Sequence, residues 1–349
     1  MSLPTPDAAA SHPAPNSGIG SAIRRALVGL LVMICVLVAV VGTMMVAMAA
    51  VMAMLGASDS LIEERYHSLA KHAEDKIAII TIDGVILESD GYIKKQIDHV
   101  RDDASVKAVV LRVDSPGGSV TGSDLILHHL SQLRKQRKLP LVVSMGGLAA
   151  SGGYYVSMAV GDQKDSIFAE PTTWTGSIGV IIPHYDLSGL MGQLKVQEDS
   201  IKSHRLKAMG SFAKPMTEEE RTIFQGLVDD AFTRFKDIIK AGRPQFREND
   251  EALTKLATGQ VYTTRQALAD GLVDKEGFIE DAIARAVELA GLDESKVKAV
   301  EYKRPFSFMD GLLASRASAA GLDVSALLEL ASPRAFYLCT WLPPLMRAR

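Results

Sequence analysis

The chain has 349 residues and a formal net charge of −3. That length suits one large domain or two ordinary ones, and the absence of a basic excess argues against a nucleic-acid partner. Two cysteines, Cys35 and Cys339, lie far apart and match no metal or disulfide pattern.

Met1 to Ser21 is rich in Ala, Pro and Ser and reads as a disordered tail. Ala26 to Leu55 carries no charge and no proline. It exceeds the roughly 20 apolar residues that cross a bilayer and the ~7–15 of a signal-peptide core. A retained membrane anchor is expected. Leu55-Gly56-Ala57 loosely resembles a cleavage site. Arg24 and Arg25 flank the start of the run more closely than Arg65 and Lys71 flank its end. This bias favours a cytoplasmic N-terminus, with the rest of the chain on the other side.

Ser58 to Asp75 is polar with scattered apolar residues, and a helical stalk is predicted. Ile77 to Ile82 and Ala108 to Val113 are near-continuous β-branched runs, as in strands buried on both faces. Between them, Ile93, Ile97 and Val100 in Tyr92 to Asp103 have helical spacing. Asp124 to Arg137 is a second predicted helix, with Leu125, Leu127, Leu130 and Leu133 on its apolar side. Leu141 to Met145 is a third strand, and Ser151 to Ala159 a third helix. Such alternation implies a largely parallel sheet with helical crossovers.

Further strands are predicted at Ser166 to Ala169, Ile178 to Ile182 and Val196 to Ile201, with a short helix at Leu187 to Leu194. Thr217 and Glu220 have capping-box spacing and open a helix that runs to about Ala241. Three helices follow, at Asp250 to Ala257, Thr264 to Asp270 and Phe278 to Leu289, then an outer strand at Val297 to Lys303. Met309 to Leu313 and Ala319 to Leu330 have helical character. The apolar run Ala335 to Leu342 suits a partner, a groove or a membrane.

Two loops stand out chemically. Gly146-Gly147-Leu148-Ala149-Ala150-Ser151-Gly152-Gly153 places one hydroxyl among small residues at a strand-to-helix seam. Small neighbours admit another backbone, and a helix N-terminus favours an anion. Asp114-Ser115-Pro116-Gly117-Gly118-Ser119 follows the second strand and exposes consecutive N–H groups. A turn of this kind can hold an oxyanion. Both loops leave C-terminal strand ends, which share one edge of a parallel sheet. A serine nucleophile needs a base. His128, His129, His184 and His204 are candidates, as are Lys202 and Lys207 if burial removes their proton. The residue pattern alone does not choose among them.

Ala150-Ser151-Gly152-Gly153-Tyr154-Tyr155, Asp114-Ser115-Pro116-Gly117-Gly118 and Thr175-Gly176-Ser177-Ile178-Gly179-Val180 resemble, in order, motifs of signal peptide peptidases of the SppA type. The resemblance covers about Lys76 to Leu289. It implies an α/β fold of the ClpP/crotonase kind, built of repeated β-β-α and β-α units and preceded by one transmembrane helix. It also implies a Ser–Lys dyad with Ser151 as nucleophile and Lys207 as general base. Lys202 is less favoured, because the family places its base shortly before a Gly/Ser turn. Arg205-Leu206 replaces small residues common there. Ser177 would orient the lysine amine, and the N–H groups of Gly117 and Gly152 would hold the oxyanion. No cofactor or metal is called for.

Peptide substrates, above all cleaved signal peptides, are the implied partners, with the membrane and a ring-like homo-oligomer that shares active sites. A broader protease of envelope quality control is the nearest alternative reading. A crotonase-like enzyme that binds acyl-CoA is the more distant one. The expected organisation is a tail over 1–25, a transmembrane helix over 26–55, a stalk over 56–75, a peptidase domain over 76–296 and a C-terminal strand and tail over 297–349.

Overall fold

The computed structural model describes residues 17–58, 62–87, 91–303 and 335–338. The chain divides into two units, Met1–Leu61 and Ile62–Arg349. In the first, one helix, α1 (Ser17–Ser58), contains Leu27–Met48, a span long and apolar enough to cross a membrane, with mean hydropathy 2.9. Within this span, side chains such as Leu31, Leu37 and Met45 are exposed.

The second unit runs β1 (Glu63–Leu69), β2 (Asp75–Asp83), α2 (Gly91–Asp102), β3 (Val106–Ser115), β4 (Gly117–Ser119), α3 (Val120–Arg137), β5 (Leu141–Ala150) and α4 (Gly152–Ser157). It continues through β6 (Ile167–Ala169), β7 (Trp174–Gly176), α5 (Ser188–Gln193), α6 (Glu218–Gly242), α7 (Asp250–Leu256) and β8 (Val261–Thr263). The last elements are α8 (Thr264–Ala269), β9 (Lys275–Glu276), α9 (Ile279–Leu289), β10 (Val297–Lys303) and β11 (Phe336–Leu338).

The main sheet has the order β1-β10-β2-β3-β5-β6-β9, with β7 bridging β5 to β8. Neighbours from β10 to β9 pair in parallel, whereas β1 pairs antiparallel with β10. The β-branched runs are buried on both faces, as their composition predicts. Ala78, Ile80 and Ile82 of β2 and Val109, Leu111 and Val113 of β3 face the main core beneath α2, α3 and α4. Ile77, Ile79, Ala108 and Val110 face the other side, where α9 lays Ala282, Ile283, Ala286 and Val287 over them. The registered pairing of β10 with β2 ends at Ile79. Beyond it, the buried Gln96 side chain accepts from Thr81 N–H at 3.0 Å and donates to its carbonyl at 3.1 Å. A side chain thus replaces a strand where the ladder stops.

Several elements depart from the sequence expectation. The predicted helical stalk contributes a strand instead: Glu63–Leu69 pairs along β10. Its first four residues are exposed and the last three half-buried, an edge-strand pattern without a helical apolar stripe. Consequently β10 is not the outer strand but lies between β1 and β2. Helix α3 begins four residues early because Ser119 caps it, accepting from Gly122 N–H at 3.0 Å. Leu125 is exposed and Ile126 takes its core place. Val196 to Ile201, predicted as a strand, has no strand partner and stays exposed. The capping box of Thr217 and Glu220 forms as expected. The first part of the N-terminal tail, the two C-terminal helical segments and residues 339–342 lie outside the described residues.

Candidate active site

Strand β5 ends at Ala150, and the chain turns sharply into α4 through Ser151. That serine has φ 54° and ψ −113°, a sparsely populated conformation for a residue with a side chain. Two bonds hold it there. Its N–H donates to Gly176 O at 2.7 Å, and its carbonyl accepts from Tyr155 N–H at 2.8 Å. The Ser151 side chain is buried, and its Oγ has no hydrogen-bond partner among the described residues. An unpaired buried hydroxyl costs free energy, so its persistence needs a functional explanation.

The small residues around Ser151 answer a packing demand. A Cβ on Gly152 would lie 2.5 Å from Ser123 Oγ and 3.0 Å from Gly117 Cα. On Gly117, at φ +96°, a Cβ would lie 2.6 Å from Gly152 N and 3.1 Å from Ser151 Cβ. The two glycine loops therefore touch across the sheet edge, as two C-terminal strand ends should. Gly118 is packed as closely: its Cβ would fall 1.8 Å from Ile86 O.

Gly117 N–H donates to Ser115 Oγ at 3.1 Å. Gly118 N is the backbone nitrogen that approaches Gly152, 3.1 Å from the position of a Cβ there.

Ser177 follows β7 directly and is buried, with φ 50°. Its N–H donates to Gln260 O at 2.7 Å. Because β7 pairs with β5 in the register Ala150↔Gly176, Ser177 lies beside Ser151. Lys207 is on the surface. It belongs to a single 3-10 turn, Arg205–Ala208, and is exposed. No hydrogen bond joins its ammonium to Ser151 or Ser177 among the described residues. Arg205 pairs with Glu219, which ties this turn to the start of α6. Lys202 is exposed and pairs with Glu198 at 2.9 Å.

None of the four histidines reaches Ser151 Oγ. His128 and His129 contact each other on α3, with ring centroids 5.5 Å apart. His184 faces Ser211 O at 3.3 Å, and His204 caps its own turn by accepting from Leu206 N–H at 3.3 Å. Glu64, His99 and Asp103 bring possible metal-ligand atoms within 4.8 Å of one another. The Lys76 ammonium already fills the place of a cation there, 2.7 Å from Glu64 and 2.9 Å from Asp103.

Comparison with known proteins decides the family. Residues 133–293 match the model of peptidase family S49. A putative signal peptide peptidase SppA of Enterococcus faecium is 34% identical over 70% of this chain and 72% of its own length. A putative protease of Synechocystis is 37% identical over 64% of this chain and 77% of its own length. The chain belongs to the SppA-type peptidases of family S49. As such it is a serine peptidase, a hydrolase. Protease 4 of Salmonella typhi is 37% identical over 62% of this chain, which spans only 35% of that longer S49 relative.

Proposed function

We propose that this S49 peptidase cleaves peptide bonds with Ser151 as nucleophile and Lys207 as general base, the two supplied by neighbouring copies. The observation that carries the reading is the Ser151 side chain: buried, unpaired and held in a strained turn beside two glycine backbones. A lysine acts as a base only when burial removes its proton, and Lys207 is exposed in a single chain. The arm that carries it also exposes Tyr185, Leu190, Leu194, Val196 and Ile201. Such a surface favours coverage by another copy, which would bury the lysine.

In the assembled site, neutral Lys207, oriented by Ser177, takes the proton from Ser151 Oγ. The alkoxide attacks the peptide carbonyl, and the N–H groups of Gly152 and Gly118 hold the oxyanion. Lysine returns the proton to the leaving amine. Water then hydrolyses the acyl-enzyme by the same route.

Helix α1 supports a membrane anchor, and Arg24 and Arg25 support a cytoplasmic N-terminus with the peptidase unit on the opposite side. Released signal peptides suit a protease held at that surface, as the name of the Enterococcus faecium relative also suggests. The test is covalent labelling by a fluorophosphonate probe of wild type, Ser151→Ala and Lys207→Ala in membranes. Labelling of wild type alone is expected. Equal labelling of all three would overturn the dyad.

A further inference from the structure

Asp114 is the penultimate residue of β3, and it takes no part in the proton transfers above. Opposite it, the β3–β5 ladder breaks register. Val113 pairs with Met145 and Ser115 with Ala149, so Gly146, Gly147 and Leu148 together face Asp114 alone. The same bulge is where β5 changes neighbour: Met145 pairs with Ala169 of β6, and Leu148 with Trp174 of β7. Only Ala149 and Ala150 then separate Leu148 from Ser151. The path of the strand through the bulge therefore sets where the nucleophile turn begins.

A bulge leaves backbone groups that the ladder does not pair, and here side chains take them. The Leu148 N–H donates to Asp114 Oδ1 at 3.0 Å. The buried Thr173 hydroxyl donates to the Gly146 carbonyl at 2.6 Å, and the buried Thr175 hydroxyl to that of Ala149 at 2.7 Å. Gly146 is tightly enclosed: a Cβ there would lie 3.1 Å from Asp114 Oδ2 and equally 3.1 Å from Arg112 Nη2. Arg112 is committed elsewhere, to Glu170 at 2.6 Å and to Ser144 Oγ at 2.9 Å. The Asp114 carboxylate thus serves the bulge as a hydrogen-bond acceptor.

We propose that Asp114 is a positioning residue for the reaction: by accepting from the Leu148 N–H it pins the bulge of β5 and so holds Ser151 Oγ in line for attack. The proposal rests on Ser151 being the nucleophile. Asp114 and Gly147 are exposed and Leu148 is half-buried. Water would therefore satisfy the Leu148 N–H if the carboxylate were removed, and the fold would lose little. What water does not supply is a fixed position. A misplacement of about 1 Å at a reacting atom can cost about a hundredfold in rate, so a bond of small value to stability has a large value to catalysis. The role needs an acceptor oxygen at the Oδ1 position and does not need a charge.

The experiment uses the full-length protein in detergent micelles. Peptide hydrolysis, the rate of fluorophosphonate labelling and the melting temperature are measured for wild type, Asp114→Ala, Asp114→Asn and Ser151→Ala. We expect Asp114→Ala to lower kcat about ten- to a hundredfold with KM nearly unchanged, and to slow labelling in parallel. Its melting temperature should stay within about 3 °C of wild type. Asp114→Asn keeps the acceptor oxygen and should restore kcat to within about threefold of wild type. Wild-type kcat in Asp114→Ala, or Asp114→Asn as slow as Asp114→Ala, overturns the inference. So does a fall of more than about 10 °C in the melting temperature of Asp114→Ala, which would assign the bond to folding. Labelling of Ser151→Ala at the wild-type rate would instead overturn the nucleophile itself.

Discussion

The backbone N–H of Ser151 donates to the carbonyl of Gly176 at 2.7 Å. This bond fastens the turn of the candidate nucleophile to the strand that delivers Ser177. Both serines have positive φ, 54° and 50°. Two strained residues side by side are each held by a backbone bond, Ser151 to the carbonyl of Gly176 and Ser177 to that of Gln260. Position is fixed here by backbone, which leaves both hydroxyls available for chemistry.

Ser177→Ala keeps that backbone and removes only the hydroxyl. If Ser177 orients the lysine amine, kcat should fall about ten- to a hundredfold with KM nearly unchanged. Steady-state kinetics on a peptide substrate check this. A change confined to KM would mean that Ser177 binds substrate instead.

Gly118→Ala should abolish hydrolysis, because its Cβ would meet Ile86 O at 1.8 Å and force the turn apart. Gly147→Ala is the matched control. Its Cβ would meet only Asp114 Oδ1, at 3.9 Å, so activity should stay near wild type. Peptide hydrolysis and thermal melting of both variants separate a local from a global effect.

Shared active sites predict complementation. Ser151→Ala and Lys207→Ala proteins should each be inactive. Random mixing should restore activity at about a quarter of interfaces, where an intact serine meets an intact lysine. No recovery in verified mixed oligomers would place both residues in one copy.

Much of this was legible in the sequence, and the limits have physical causes. The β-branched runs at Ile77 and Ala108 announce doubly buried strands because composition alone distinguishes them. The two glycine loops are legible because small residues repeat where backbones must touch. Glu63 to Leu69 was not readable as a strand, since its partner β10 is distant in sequence and local propensity is silent about it. Nor did the Ala335 to Leu342 run reveal which of its possible resting places it takes. Only the fold shows Tyr337 beneath Tyr155. Lys207 is exposed and forms no hydrogen bond with Ser151 Oγ among the described residues, so its proposed role rests on the resemblance.

A buried ion pair braces the far end of α6. Arg243 meets Asp274 at 2.7 Å, and Asp274 also accepts from Ser166 and Ile167 N–H groups, each at 2.9 Å. Asp274→Ala strands a buried guanidinium and should cost about 3–5 kcal/mol. Urea denaturation of the detergent-solubilised protein measures it. A loss under about 1 kcal/mol would show that water replaces the carboxylate.

Asp103 gives a stability window in acid. Burial favours its neutral form, but the Ser105 hydroxyl and N–H and the Lys76 ammonium outweigh this and hold it at about 2. Its unfolded value is higher, so its contribution is complete above pH ~4 and fades as pH falls toward about 2. Asp103→Asn should flatten stability against pH in that window. Melting temperatures of both proteins between pH 2 and 5 provide the check.

Strand β10 lies between β1 and β2 although it follows them by almost the whole peptidase unit. During synthesis, β1 therefore waits unpaired until the far end of the unit has emerged. Pairing over such a separation is slow, and a waiting strand edge is prone to wrong partners. The order of synthesis thus makes sheet closure a late step, and a chain interrupted before Val297 would leave both β1 and the β2 edge bare. In detergent, truncations there should aggregate, whereas truncations after Leu338, which keep β10 and β11, should not.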